Sequence, residues 1–369
     1  MSSALSAFPR RLAFSPWWIA LAAVFLLLDA GLLRLFAFGA DWAPLWVAGR
    51  QAWTDAARVY DFDLMTSLQA PLLGHVDHRP FIYPPSALLI VAPLALLPFH
   101  ASLFAVSAGS LALLAWAARP FGGDRALLLI APPVLLCAIA GQPSLAVGAL
   151  AAAAVTRLGS RDLVAGLLLG VAAAIKPTLF LLAPIALLSG GHWRALLWSG
   201  VTAAAIALIS GAVFGLGTWA LWLGALPGFQ QLVLGEPSLL SSTIAPYATA
   251  VRFGVDPRIA MLAAALVALP VVGFVFARTR DCGARLVALL GGGLLIAPYA
   301  MNYELALLAP AVLSARLTEP RRLVLPTVWA ASLCSGSSLL GLLAVYAWIP
   351  VRRLLRDDGC VEPGVHVRA

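Results

Sequence analysis

A long series of apolar runs, separated by short polar breaks, constrains this chain more than any other feature. A helix that crosses a bilayer needs roughly 20 apolar residues, so twelve crossings would occupy about 240 residues. The composition agrees, because 62% of the 369 residues are apolar and 11% are charged, whereas soluble domains are about a quarter charged. We therefore expect an all-α polytopic membrane protein with about 12 transmembrane helices (range roughly 11–13). The runs lie at 17–38, 84–118, 125–141, 143–157, 162–176, 177–190, 195–216, 258–277, 283–299, 302–315, 323–335 and 337–350.

The same composition excludes several classes of protein. Soluble enzymes, coiled coils, disulfide-stapled secreted domains and nucleic-acid binders all carry more polar surface. The net charge of +8 does not require an acidic partner, since 23 of the 24 basic residues are arginines concentrated in short breaks between the runs. Such arginines set the orientation of a membrane protein.

The arginine distribution predicts the topology. Pro93 and Pro98 cut the run at 84–118, which leaves open whether it crosses the membrane once or twice. With one net crossing, 17 basic residues fall on the cytoplasmic side and 7 at the outer face. Two crossings would place Arg157 and its neighbours outside, against the positive-inside rule. We expect twelve net spans and both termini in the cytoplasm.

The chain reads as a single membrane domain over residues 1–369. Two longer stretches lie between spans on the predicted outer face, at 39–82 and 217–256. In the first, Trp46, Gly49, Gln51 and Trp53 have the spacing of an amphipathic helix that lies along the membrane interface. No repeat of 20–50 residues and no soluble domain is visible.

Asp41 is the first polar residue of interest, because it comes directly after the first apolar run. A carboxylate that is partly desolvated beneath an interfacial helix is suited to proton abstraction. The same residue could instead cap the helix that starts near Pro44, since Asp is favoured at that position. Both interpretations stay open at this stage.

The rest of the first outer stretch offers few sites for a metal ion. His75, Asp77 and His78 form a short cluster that could hold a metal, but no other residues with ligand spacing support it. The four cysteines are scattered without a CxxC pair, so we expect neither a metal site nor a disulfide framework. No cofactor is expected, and activity should not depend on a metal.

Later polar motifs fall at the same predicted face. The GQPS turn carries Gln142, an uncharged donor and acceptor. The only lysine, Lys176, could bind a phosphate as a point charge, or its side chain could extend to the lipid headgroups. The 299–304 segment adds Tyr299, Tyr303 and Glu304.

Taken in order, these motifs resemble the integral membrane glycosyltransferases of family 87, which use polyprenyl-phosphate sugars and have a GT-C fold. The resemblance runs over roughly residues 15–315, and its last motif departs from the family pattern at Met301 and Asn302. The matching pieces are Asp41, the segment from Gly49 through VYDF at 59–62, FIYPP at 81–85, GQPSL at 141–145, IKP at 175–177 and APYAMNYEL at 297–305.

The resemblance implies a transfer reaction at the outer face of a cytoplasmic membrane, with a lipid-linked hexose such as mannose as donor and a lipid or glycan as acceptor. By this resemblance, Asp41 would act as general base and the anomeric configuration would be inverted. Our candidates for holding the donor phosphate are Lys176 and one of Arg50, Arg58 or Arg79. Candidates for substrate binding are Tyr60, Tyr83, Gln142, Tyr299, Tyr303 and Glu304.

Two other functions compete with this interpretation. A transporter or lipid flippase would place charged groups near the bilayer middle, whereas most ionisable residues here project to one face. A scaffold of envelope assembly would need no chemistry at all. The Arg-for-Lys bias is typical of a GC-rich bacterial genome, so we expect a multi-pass protein of a bacterial inner membrane.

Overall fold

The computed structural model describes residues 16–33, 38–73, 79–314, 320–333 and 338–354. Within these ranges the chain is helical and forms no strand, and Thr243 and Met301 make one isolated antiparallel bridge. The all-α prediction is therefore confirmed.

Twenty α-helices follow one another along the described chain. They are α1 (Pro16–Leu32), α2 (Trp42–Asp55), α3 (Phe62–Leu73), α4 (Pro85–Leu94), α5 (Phe99–Ala117), α6 (Arg125–Leu129), α7 (Pro132–Ala140), α8 (Ser144–Val155), α9 (Asp162–Ile175), α10 (Ala183–Ser189), α11 (Trp193–Phe214), α12 (Gly217–Gly235), α13 (Pro237–Ser242), α14 (Pro246–Arg252), α15 (Pro257–Arg278), α16 (Cys282–Leu286), α17 (Gly292–Ile296), α18 (Ala309–Val312), α19 (Val324–Ala331) and α20 (Ser338–Leu354). Short 3₁₀ helices lie at Ala56–Tyr60, Arg119–Phe121, Pro177–Phe180, Asn302–Leu308 and Pro320–Arg322, and a π-helical turn lies at Val287–Gly291.

Three of the described helical segments are long and apolar enough to cross a membrane: Phe99–Phe121, Trp193–Phe214 and Pro257–Arg278. Seven further apolar helices have 10–17 residues, a length of about 15–25 Å, which is less than the roughly 30 Å of a hydrocarbon core. Several apolar helices are thus compatible with a membrane protein. Twelve spans and the orientation stay predictions.

Proline and glycine set many of the helix boundaries. The apolar run at 84–118 divides into α4 and α5, and α5 begins directly after Pro98. Proline has no N–H and its fixed φ suits the first turn, so it starts helices and ends the one before it. The described structure confirms that this run is two helices.

Helix α8 lies at the centre of the molecule, and ten of its twelve residues are buried. Its Gly148 faces Leu307, and a Cβ placed on this glycine would come within 2.7 Å of that side chain. Helices α9 and α11 approach each other equally closely, since Cβ atoms on Gly166 and Gly170 would lie 2.6 and 2.7 Å from carbonyl oxygens of α11. Small residues let apolar helices pack backbone to backbone.

The two long stretches between apolar runs are both helical. The first holds α2, the 3₁₀ helix Ala56–Tyr60 and α3, which confirms a helix where the Trp46–Trp53 spacing predicts one. The second, 217–256, holds α12, α13 and α14. The expectation of no disulfide framework does not hold at Cys282, which is disulfide-bonded.

Candidate active site

Asp41 is fixed in place by backbone hydrogen bonds to the end of α7. The amide of Gly39 donates to the carbonyl of Ile139 at 2.9 Å, and the amide of Asp41 donates to the carbonyl of Ala140 at 3.1 Å. Asp41 therefore lies beside the GQPS turn, 100 residues further along the chain.

The Asp41 side chain does not cap α2. It precedes Trp42, the first residue of the helix, but makes no hydrogen bond to the helix N-terminus. Instead its Oδ1 accepts a hydrogen bond from Nη1 of Arg79 and forms an ion pair with it. The capping interpretation is thus wrong, because the guanidinium occupies the carboxylate.

An extended segment carries Arg79 and Tyr83 between α3 and α4. The Tyr60 hydroxyl donates to the Tyr83 carbonyl at 2.9 Å, and the rings of Tyr60 and Tyr83 both contact Phe81. Pro84 is extended, with φ −64° and ψ 159°, and Pro85 starts α4. Two successive prolines thus hold this segment in a fixed direction.

Gln142 joins two of the predicted tyrosines. Gly141 ends α7 with φ +77°, a conformation that glycine adopts without strain, and so turns the chain toward α8. The Tyr83 hydroxyl donates to Oε1 of Gln142 at 2.8 Å, and Nε2 of Gln142 donates to the Tyr303 hydroxyl at 2.8 Å. This hydrogen bond joins two residues that are 161 positions apart in the sequence.

Lys176 and Glu304 form a buried ion pair beside Tyr83, whose ring centroid lies 5.8 Å from Nζ of Lys176. Lys176 follows α9 with a non-helical backbone (φ −141°, ψ 74°), since Pro177 comes next and disfavours the helical conformation before it. Its Nζ donates to Oε1 of Glu304 and, at 2.9 Å, to the Ser144 hydroxyl, which in turn donates to Oε1 of Glu304 at 3.1 Å. Because Lys176 is only 7% exposed, its extension to the lipid headgroups is not what the structure shows.

The segment that carries Tyr303 and Glu304 is attached to the 217–256 stretch. The amide of Ile244 donates to the carbonyl of Ala300 at 2.7 Å, beside the Thr243–Met301 bridge. The amide of Met301 donates to Oε2 of Glu304 at 3.2 Å, so both carboxylate oxygens of Glu304 are used. Tyr299 packs edge-on against Phe229 of α12, with ring centroids 4.6 Å apart.

The cluster formed by these side chains is called the polar cluster below: Asp41, Arg79, Tyr83, Gln142, Ser144, Lys176, Tyr303 and Glu304. Its two carboxylates are matched by two cations, in the pairs Asp41–Arg79 and Lys176–Glu304. Burial raises the pKa values of Tyr60 and Tyr83, so both hydroxyls stay protonated and act as donors. The cluster is compact and neutral overall, with a carboxylate at its rim.

Two of the predicted basic residues lie apart from the cluster. Arg50 is exposed on α2, roughly 13 Å along the helix from Asp41, and its guanidinium stacks on Trp46. Arg58 is also exposed and pairs with Asp61. A hydrogen bond from the Leu64 amide, and then the one from Arg58, lower the pKa of the Asp61 carboxyl. Arg79 is therefore the predicted arginine that reaches Asp41.

The polar cluster contains one residue that sequence reasoning did not single out. Ser144 bridges Lys176 and Glu304, and its position in the quoted GQPSL motif was the available signal. Among the described residues no group of three or more His, Cys, Asp or Glu could hold a metal ion. His75, Asp77 and His78 lie outside the described residues.

Comparison with known proteins gives one match. The model of glycosyltransferase family 87 matches residues 81–301, more than half of the chain. This range includes Tyr83, Gln142 and Lys176. Glu304 follows its last residue by three positions, whereas Asp41 lies well before its start and is brought to the cluster by the contacts above. No curated protein and no solved structure matches the chain.

Proposed function

Because the chain belongs to glycosyltransferase family 87, we propose that it transfers a hexose such as mannose from a polyprenyl-phosphate donor to a lipid or glycan acceptor. The observation that supports this most is the convergence of Asp41, Arg79, Lys176 and Glu304 in one cluster from four distant parts of the chain. We place the reaction at the outer face of a bacterial inner membrane, in a GT-C type fold of about twelve spans.

Asp41 is the proposed general base. Oδ1 is held by Arg79, and the carboxylate lies at the edge of the cluster with about a tenth of its side chain exposed. In the proposed step, Asp41 takes the proton of an acceptor hydroxyl while that oxygen attacks the anomeric carbon of the donor sugar. The bond between the sugar and the phosphate oxygen breaks, and the lipid phosphate leaves with the electron pair. Attack opposite the leaving phosphate inverts the anomeric configuration.

Arg79 is the proposed partner of the leaving phosphate. Its side chain is 30% exposed, so substrate can reach it. A guanidinium carries five N–H donors and can hold a carboxylate and a phosphate oxygen together. The phosphate gains negative charge as it leaves, and a fixed cation beside it lowers the barrier.

Lys176 contributes differently under this proposal. Its ammonium is already neutralised by Glu304 and hydrogen-bonded to Ser144, so we assign it to the floor of the site. Tyr83, Gln142 and Tyr303 then present hydroxyl and amide groups suited to sugar hydroxyls. Tyr60 acts indirectly, by holding the Tyr83 backbone.

The test is a transfer assay with purified protein, radiolabelled polyprenyl-phosphate mannose or glucose, and a membrane lipid extract as acceptor source. Transfer of label into the extract, with release of polyprenyl phosphate, is the expected result. Movement of the intact donor across a vesicle bilayer without transfer would instead favour a flippase. Neither transfer nor movement, together with capture of other envelope proteins, would favour a scaffold.

A further inference from the structure

An apolar cleft lies between α4 and α5, next to the polar cluster. We call it the α4–α5 cleft; its volume is about 210 Å³ and almost all of its lining atoms are apolar. Trp42 and Tyr83 line it where it meets the polar cluster, and Ile90, Val106 and Gly109 line it farther along α4 and α5. Ile90 is 47% exposed, so the cleft opens at the apolar surface of the protein.

The size of the cleft suits part of a lipid chain. A dry cavity of about 150 Å³ holds a six-carbon ring, so 210 Å³ corresponds to roughly eight carbons. Eight carbons are between one and two five-carbon isoprene units. Along α4 the cleft runs from Tyr83 to Leu94, about 15 Å or roughly half the thickness of a hydrocarbon core.

The position of the cleft relates it to the donor phosphate. Arg79 and Tyr83 belong to one extended segment and are separated by four residues, so at most about 13 Å lie between their backbones. Arg79 is the proposed phosphate ligand, while Tyr83 belongs both to the polar cluster and to the cleft wall. The chain of a polyprenyl phosphate is attached directly to the phosphate, so its first units must lie within this distance of Arg79.

We propose that the α4–α5 cleft binds the first one or two isoprene units of the donor lipid, an inference that rests on the proposed function. The polar cluster then holds the phosphate and sugar, and the cleft fixes the direction in which the lipid leaves the site. The rest of the chain continues from the opening at Ile90 into the surrounding lipid.

Gly109 allows a direct test. Gly109 lines the cleft, and a Cβ placed on it meets no atom within 4 Å, so a larger side chain fits at this position without a clash. Each buried CH₂ that a ligand loses weakens binding roughly fourfold. If the leucine of a Gly109→Leu variant displaces two carbons, the donor KM should rise about 15-fold.

Gly200 provides the matched control. It lies in the middle of α11, is exposed, and likewise has open space around the position of a Cβ. Gly200→Leu should leave the donor KM unchanged, while Gly109→Leu should raise it and leave kcat and the acceptor KM unchanged. An unchanged donor KM, or a rise in the acceptor KM instead, would overturn the proposal.

A second measurement does not depend on turnover. An isoprenyl phosphate with a photoreactive group on its second isoprene unit should label peptides of α4 and α5. At probe concentrations below its Kd, Gly109→Leu should lower this labelling about 15-fold, while Gly200→Leu retains it. Labelling of other helices, or labelling of Gly109→Leu at the wild-type level, would overturn the inference. If labelling succeeds and no sugar is transferred, the proposed function fails and the lipid site stands.

Discussion

The buried pair of Lys176 and Glu304 makes a sharp prediction about stability. Both side chains are almost fully buried, and Ser144 and the Met301 amide supply the remaining hydrogen bonds. Removal of one member of such a pair leaves an uncompensated buried charge, which typically costs about 3–5 kcal/mol. Lys176→Met and Glu304→Gln should each carry this cost.

The magnitude converts into a melting temperature. An unfolding entropy of about 2.1 cal/mol/K per residue gives about 0.8 kcal/mol/K for a chain of this size, so each single variant should melt about 4–6 °C lower. The double variant Lys176→Met/Glu304→Gln has no unpaired charge; the Gln oxygen can accept from the Met301 amide while its NH₂ group donates to the Ser144 hydroxyl. It should therefore melt no lower than either single variant.

The assay is scanning fluorimetry of detergent-solubilised protein, in which the tryptophans report unfolding. A double-mutant cycle isolates the coupling between the two side chains from the effect of each substitution alone. If the double variant loses the sum of the two single losses, about 8–12 °C, then the two charges are not coupled and the buried ion pair is refuted.

Three further predictions use single substitutions with their own controls. Gly141→Ala should destabilise the protein by more than about 2 kcal/mol, because φ is +77° and the new Cβ would lie 2.5 Å from the Trp42 side chain. Gly122 has φ +73° but open space around it, so Gly122→Ala should cost only the backbone strain. Equal melting temperatures of the two variants would contradict this. Arg79→Gln should raise the donor KM by roughly 10–150-fold, since a charge-assisted hydrogen bond contributes about 1.5–3 kcal/mol. Arg58→Gln, at an exposed arginine, should leave the donor KM unchanged. Equal effects of the two substitutions would remove Arg79 from phosphate binding. Burial and the Arg285 charge lower the pKa of His192 below 6.5, so neutral His192 contributes its full stability above about pH 6.5. The melting temperature should therefore fall as the pH drops through the folded-state pKa of His192. A His192→Asn variant with the same pH dependence as the wild type would contradict this.

Local features of the fold could be predicted from the sequence. Pro98 separates α4 from α5, Gly141 with Pro143 forms the turn before α8, and Pro177 ends α9 at Lys176. Each of these residues restricts its own backbone, so the sequence position alone determines the outcome. The number of spans could not be settled in this way, because most apolar helices are shorter than a bilayer and their pairing into crossings depends on packing.

The candidate site was predictable in part. Asp41, Gln142 and Lys176 stood out because polar residues in apolar surroundings are rare, and Tyr83 stood out through the family resemblance of its FIYPP motif. Their partners depend on long-range packing: nothing near Lys176 in sequence indicates that Glu304, 128 residues away, neutralises it. The choice of Arg79 over Arg50 or Arg58 likewise follows from the path of the extended segment before α4.

The pairing of Asp41 with Arg79 also explains why a capping interpretation fails. An aspartate before a helix is a common cap, but Asp41 has φ −89° and ψ −15°, whereas a cap residue has an extended backbone. A nearby guanidinium competes for the same carboxylate oxygens and forms a stronger, charged hydrogen bond. Sequence preferences describe local partners only, so a distant cation overrides them.

The most direct test of the account is the turnover of Asp41→Asn, measured with a polyprenyl-phosphate sugar under saturating donor and acceptor. A general base typically contributes ~10²–10⁴-fold, so kcat should fall at least 100-fold while the melting temperature changes little. Asp61→Asn, at an exposed carboxylate of the same stretch, is the matched control and should retain wild-type kcat. An Asp41→Asn variant that turns over within tenfold of the wild type would contradict the account.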